Sequence, residues 1–150
     1  MGAAFTDNEH YGESETRDMT VGYRVGGYNF RLGYNLIDRI PHERDDGGSL
    51  YDLRSPDTGI SIDGYYLSLT KTIALQSVQW ELGGGLYASK SEVYFEKRKV
   101  NESDDESPFI NIKLIKPLSD LFALQGDWKY IHDVTGGNIN LLQVGIAFSF

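Results

Sequence analysis

The sequence predicts an all-β fold, an up-and-down barrel of about eight antiparallel strands. Three observations predict it. Apolar residues alternate with small or polar ones at period two in stretch after stretch, the pattern of strands with two unlike faces. The connections between these stretches are alternately short and long, so a meander would gather tight turns at one end and long loops at the other. Composition agrees: 17 glycines and 10 tyrosines against 4 prolines suit strands and tight turns better than helices.

The elements follow in chain order. "GAAFT" at 2–6 is a short first strand with weak alternation. In "MTVGYRV", Met19, Val21, Tyr23 and Val25 share a face opposite Thr20, Gly22 and Arg24. Gly26-Gly27 is a hairpin turn. In "YNFRLGYNL", Tyr28, Phe30, Leu32, Tyr34 and Leu36 oppose Asn29, Arg31, Gly33 and Asn35. Tyr65, Leu67 and Leu69 oppose Tyr66, Ser68 and Thr70. In "VQWELGGGLYA", Val78, Trp80, Leu82 and Leu86 oppose Gln79, Glu81 and Tyr87. Ile110, Ile112 and Leu114 oppose Asn111 and Lys113, and Phe122, Leu124, Trp128 and Tyr130 oppose Ala123, Gln125, Asp127 and Lys129. The terminal "LLQVGIAFSF" sets Leu142, Val144, Ile146, Phe148 and Phe150 against Gln143, Gly145 and Ala147. The short connections are "GG", "ALQS" and "PLSD"; the long ones are "DNEHYGESET", "DRIPHERDDGGSLYDLRSPDTG" and "KRKVNESDDES", with "DVTGG" at the same end. Nothing repeats at a fixed period, which argues against a solenoid or propeller.

The length of 150 residues suits one domain, 1–150. A net charge of −8 argues against nucleic acid as a partner, and the absence of cysteine removes disulfides and thiolate metal sites. No charged and apolar leader opens the chain, so a signal peptide is absent from it. No stretch has the roughly 20 apolar residues of a membrane helix, although barrel strands carry a much weaker hydropathy signal.

The apolar face can point inward around a ligand, as in a soluble lipocalin-like barrel, or outward into lipid. Three features favour lipid. The other face is rich in Gly, Ala, Ser, Thr, Gln and Asn, which fit a narrow lumen. Aromatics on the apolar face gather toward strand ends, as interfacial girdles do. Most charge sits in the long loops. The fold class is therefore an eight-stranded antiparallel up-and-down transmembrane β-barrel, with a half-buried soluble sheet as the bland alternative.

In this pattern the chain resembles the small eight-stranded outer-membrane barrels of Gram-negative bacteria, the OmpA transmembrane-domain, OmpX and Ail type. The resemblance covers the whole chain, and its sharpest piece is the terminus. Leu142, Val144, Ile146, Phe148 and Phe150 match the outer-membrane assembly signal, with a terminal aromatic and alternating apolar residues before it. The resemblance implies a monomer in the bacterial outer membrane and recognition of the terminal strand by the barrel-assembly machinery. It further implies both termini in the periplasm and four loops at the cell surface, free to meet an extracellular ligand. The resemblance ends with the barrel, so the peptidoglycan-binding domain of many OmpA proteins is not expected within residues 1–150.

Enzymatic chemistry finds little support. His10, His42 and His132 lie in or beside loops without metal-ligand spacing, so neither a metal nor another cofactor is expected. The lipid A deacylase PagL pairs a His with a Ser two residues on; here His132 is followed at that place by Val134, and the nucleophile is missing. Omptin-type proteases need more and longer strands. In "EKRKVNESDDES", Lys97, Arg98 and Lys99 are candidate contacts for lipopolysaccharide phosphates, beside an acidic run that could hold cations; a solvated loop is the plainer reading. Arg24, Arg31, Glu81, Lys113, Asp127 and Lys129 all fall on the polar face. In a barrel too narrow for anything but side chains they are expected to form a salt-bridged plug, with Gln79, Gln125 and Gln143 around it. The expected role is structural or surface-interactive, in contact with outer-membrane lipid and lipopolysaccharide. The alternatives are a narrow ion or solute channel and, less favoured, a lipid A-modifying enzyme.

Overall fold

The computed structural model describes residues 1–6, 13–41, 59–75, 77–95, 98–134 and 136–148. Eight antiparallel strands close into a barrel in sequence order: β1 (Gly2–Thr6), β2 (Glu13–Val25), β3 (Tyr28–Pro41), β4 (Gly59–Leu75), β5 (Val78–Phe95), β6 (Arg98–Pro117), β7 (Phe122–Val134) and β8 (Gly137–Phe148). β1 closes the ring, pairing with β2 from Gly2↔Thr16 to Phe5↔Glu13 and with β8 from Gly2↔Gln143 to Thr6↔Ile139. It covers only the half of the wall nearer the long loops. On the short-turn side of it Met1 still exchanges hydrogen bonds with Val144, at 3.0 and 3.2 Å, and below that the described strand pairings of β2 and β8 are those with β3 and β7.

Local chemistry sets the turns. Gly26 and Gly27 have φ of 57° and 82°, the paired positive values of a two-residue hairpin turn that matches strand twist. Val78 pairs with Leu75, so the second turn is tighter than "ALQS" suggests.

Strand lengths correct several boundaries. β2 begins at Glu13, inside "DNEHYGESET", and β3 runs to Pro41, inside "DRIPHERDDGGSLYDLRSPDTG". Arg98 to Ser107, read from the sequence as loop, continue β6 in register with β5, from Phe95↔Arg98 to Tyr87↔Ser107. The run is polar on both faces, so its alternation has no contrast to read. "DVTGG" is likewise no long loop, since Val134 pairs with Gly137 beside a bulge at which Asp133 takes a φ of 56°. β8 also begins earlier than "LLQVGIAFSF", at Gly137. His10, His42, Lys97, Phe150 and most of "PHERDD" lie outside the described residues.

The barrel is turned inside out relative to a water-soluble protein. Leu67, Val144 and Ile146 are 60–62% exposed, whereas Glu81, Lys113, Asp127 and Lys129 are 0–6% exposed. A continuous apolar outer surface requires an apolar solvent. Aromatic pairs mark its two margins. Phe122 and Phe148 meet at 4.9 Å near the short turns, and Tyr34 and Tyr65 meet at 5.0 Å toward the long hairpins.

Candidate functional site

The lumen has two layers, and only one was anticipated. Toward the long-loop end the inward residues include an apolar cluster: Ile37, Ile62, Tyr87, Phe109, Ile131, Ile139 and Leu141 are buried together with Ala4. Tyr66 packs edge-on against Phe109, with ring centroids 5.6 Å apart. Glycines on the lumen face make room for the rings. A Cβ on Gly33 would collide with the Tyr66 ring, and one on Gly64 would come within 2.9 Å of the Tyr87 ring. The small polar side chains of Ser89, Ser91 and Ser107 are buried at the same level.

Below them lies the charged layer. Register aligns Glu81 with Lys113, Lys113 with Asp127, and Asp127 with Gln143. The charges fall into two linked groups. In the first, the Lys129 ammonium lies 2.8 Å from Asp18 and 3.1 Å from Asp127, and donates to the Gln143 carbonyl oxygen at 3.0 Å. Lys113 stands 3.5 Å from the same Asp127 carboxylate. In the second, Glu81 is bound by Arg31 and lies 3.5 Å from Arg24. Arg24 also donates to Asn29 at 2.9 Å and to Gln79 at 3.2 Å. Among the described residues Gln125 makes no hydrogen bond in this network. Arg24 differs from the rest in being half exposed, at the short-turn mouth and beside the stretch of wall that β1 does not reach.

Asp18 was missed by the sequence reading. Its place on the polar face follows from extending the β2 alternation one residue before Met19. Tyr66 was placed on that face without a role. Its hydroxyl donates to Asp18 at 2.9 Å, and its ring lies 4.6 Å from the Lys129 ammonium. Tyr66 thereby joins the two layers, with its ring against Phe109 and beneath the Lys129 ammonium and its hydroxyl on Asp18. Thr16 adds a neutral tie, accepting from Asn35 at 3.0 Å and Gln143 at 3.2 Å.

The residues proposed for chemistry or lipopolysaccharide contact are placed as follows. His132 is exposed and, among the described residues, hydrogen-bonds the Asn138 side chain at 2.8 Å, while Val134 is buried in the apolar layer. No group of acidic residues, histidines or cysteines fit to hold a metal occurs among the described residues. Lys99 is not free for phosphates. It pairs with Glu102 and with Glu92 at 2.6 Å, and Lys90 pairs with Glu102 at 2.5 Å. Arg98 is exposed and makes no ion pair among the described residues. Leu142, Val144, Ile146 and Phe148 all point outward.

The hydrogen bonds from Lys90 and Lys99 hold the Glu102 carboxyl down at about 2, from an ordinary value of 4.5. A lowered folded-state value means the pairing favours the ordered hairpin above pH 4.5 and is lost as pH falls from there to about 2. Carbonyl-detected NMR titration should therefore place the Glu102 midpoint near 2 in the wild type, and nearer 4.5 once Lys90 and Lys99 are both replaced by Met.

The fold is that of the small eight-stranded outer-membrane β-barrels, all-β and up-and-down. In particular it is similar to Neisserial surface protein A (NspA), with a TM-score of 0.73 at 14% identity over 99% of this chain and 92% of that one. It is also similar to Ail, the attachment invasion locus protein of Yersinia pestis, with a TM-score of 0.64 at 12% identity over 99% and 94% of the two chains. Another structure of Ail, in complex with the heparin analogue sucrose octasulfate, gives a TM-score of 0.59 at 13% identity over 99% of this chain and 94% of that one. No protein-family model matches the sequence, and a search of curated proteins gives no match.

Proposed function

We propose that this protein is an integral barrel of the bacterial outer membrane with a sealed lumen, and that it acts through membrane integrity or cell-surface contact rather than by transport or catalysis. The observation that carries this reading is the inversion of the barrel: apolar side chains outside, paired charges inside. Lipid contacts the outer face between the aromatic margins. The long hairpins stand at the cell surface, and the terminal strand, with Leu142, Val144, Ile146 and Phe148 outward, is the segment the assembly machinery reads. The fold of NspA and Ail, both described as surface or attachment proteins, supports a surface role. The sucrose octasulfate held by Ail is anionic; in this chain the exposed upper strands are mainly acidic and their lysines are tied to carboxylates, which favours cationic partners instead.

Electrophoresis in SDS tests the reading. The unheated protein should migrate as a compact folded species and shift on boiling, because a lipid-facing barrel keeps its structure in detergent. Identical mobility before and after boiling would return the chain to the soluble-barrel reading.

A further inference from the structure

β6 outruns its neighbour. Its pairing with β5 extends up to Arg98, while its pairing with β7 stops at Phe109↔Ile131. Just above, Ser107 donates through its hydroxyl to the Asp133 carbonyl at 3.0 Å. From residue 98 to 106, β6 has β5 on one side and no described strand on the other. Its backbone donors and acceptors on that side pair with no described strand, and such an edge is a template for a further strand.

The side chains of this edge are not neutral. Glu102, Asp104 and Glu106 occupy alternate positions on the outer face and are exposed. Glu102 is neutralised by Lys90 and Lys99, but Asp104 and Glu106 make no ion pair among the described residues. Beside them a shallow groove crosses the outer face, lined by Asp63, Tyr65, Ala88, Lys90, Asp104 and Glu106.

We propose that the open edge of β6 is a docking site for an extended segment of a partner protein that carries Lys or Arg at alternate positions. Strand addition supplies main-chain hydrogen bonds, and the period of two puts the partner's alternate side chains opposite Asp104 and Glu106, where opposite charges attract. The same carboxylates exclude other occupants. A second copy docking edge to edge would set acid against acid, and lipopolysaccharide phosphates would meet like charge. The inference rests on the reading of the long hairpins as the cell-surface end.

The test has two arms. In intact cells, an Asp104→Cys variant is exposed to a membrane-impermeant maleimide; labelling is expected, and its absence would remove the surface reading whatever the barrel binds in vitro. In detergent, the refolded wild-type barrel is titrated with a fluorescent ten-residue peptide alternating Lys with Thr and Val. Two further peptides have the same sequence, N-methylated at odd or at even amides. The parent peptide and one methylated form should bind, and the other methylated form should not. The Asp104→Asn/Glu106→Gln double variant, its fold checked by the heating shift, should bind roughly 2- to 30-fold more weakly, as the loss of two cross-strand charge pairs implies. The proposal is overturned if both methylated peptides bind like the parent, which indicates charge attraction without strand pairing. It is equally overturned if no peptide binds, or if lipopolysaccharide micelles with magnesium bind and the peptide does not.

Discussion

Replacing Glu81 by Leu is expected to lower the stability of the barrel by about 3–5 kcal/mol, the effect of leaving buried charge without its partner. Glu81 is fully buried and is the carboxylate that Arg31 and Arg24 share. Its removal strands the nearly buried Arg31 guanidinium in the lumen, where among the described residues the Thr70 hydroxyl at 3.4 Å is its remaining hydrogen-bond partner. The Glu81→Leu/Arg31→Leu double variant should recover much of that loss, because a matched apolar pair carries no desolvation penalty. Urea unfolding from detergent micelles, run as a double-mutant cycle, measures the coupling. Additive single effects would mean that the two groups do not depend on one another.

The second large effect lies on the outer wall. Leu67 pairs with Leu32 and Leu86 between the two aromatic margins and is exposed. Arg at this position should cost about 2–4 kcal/mol, the penalty for a cation near the bilayer midplane. Gln125→Ala, on the opposite face and without a hydrogen bond to lose, should be nearly silent. Refolding yield into phospholipid vesicles separates the two. Equal yields would mean that Leu67 does not face lipid.

Period two made the two faces of the barrel legible in the sequence, because in the strand centres the chemical contrast is strong: Leu67 against Ser68, Trp128 against Asp127. The same rule placed Glu81, Lys113, Asp127 and Lys129 on one wall. It failed where contrast vanishes. Leu141 and Leu142 are chemically alike, yet one is buried in the lumen and the other faces outward. The apolar lumen layer was invisible for this reason, since Ile62, Ile131 and Ile139 look like lipid-facing residues placed out of phase. Glu102 to Ser107 failed in the opposite sense, being polar on both faces and so read as loop. Asp18 fell between the end of "DNEHYGESET" and the start of "MTVGYRV" and was assigned to neither. What no periodicity could provide is reach across the lumen: the Lys129–Asp18 pair spans 111 residues of sequence.

Conductance is the measurement that bears most directly on a sealed lumen. Under the proposed sealed lumen, with the rings of Tyr66, Tyr87 and Phe109 packed above the paired charges, purified wild-type barrel inserted into a planar bilayer at neutral pH should give no steady current. A Tyr87→Ala/Phe109→Ala variant, still heat-modifiable on gels, should conduct. Steady ohmic current through the wild type, unchanged in that variant, would contradict the sealed lumen and make the protein a channel.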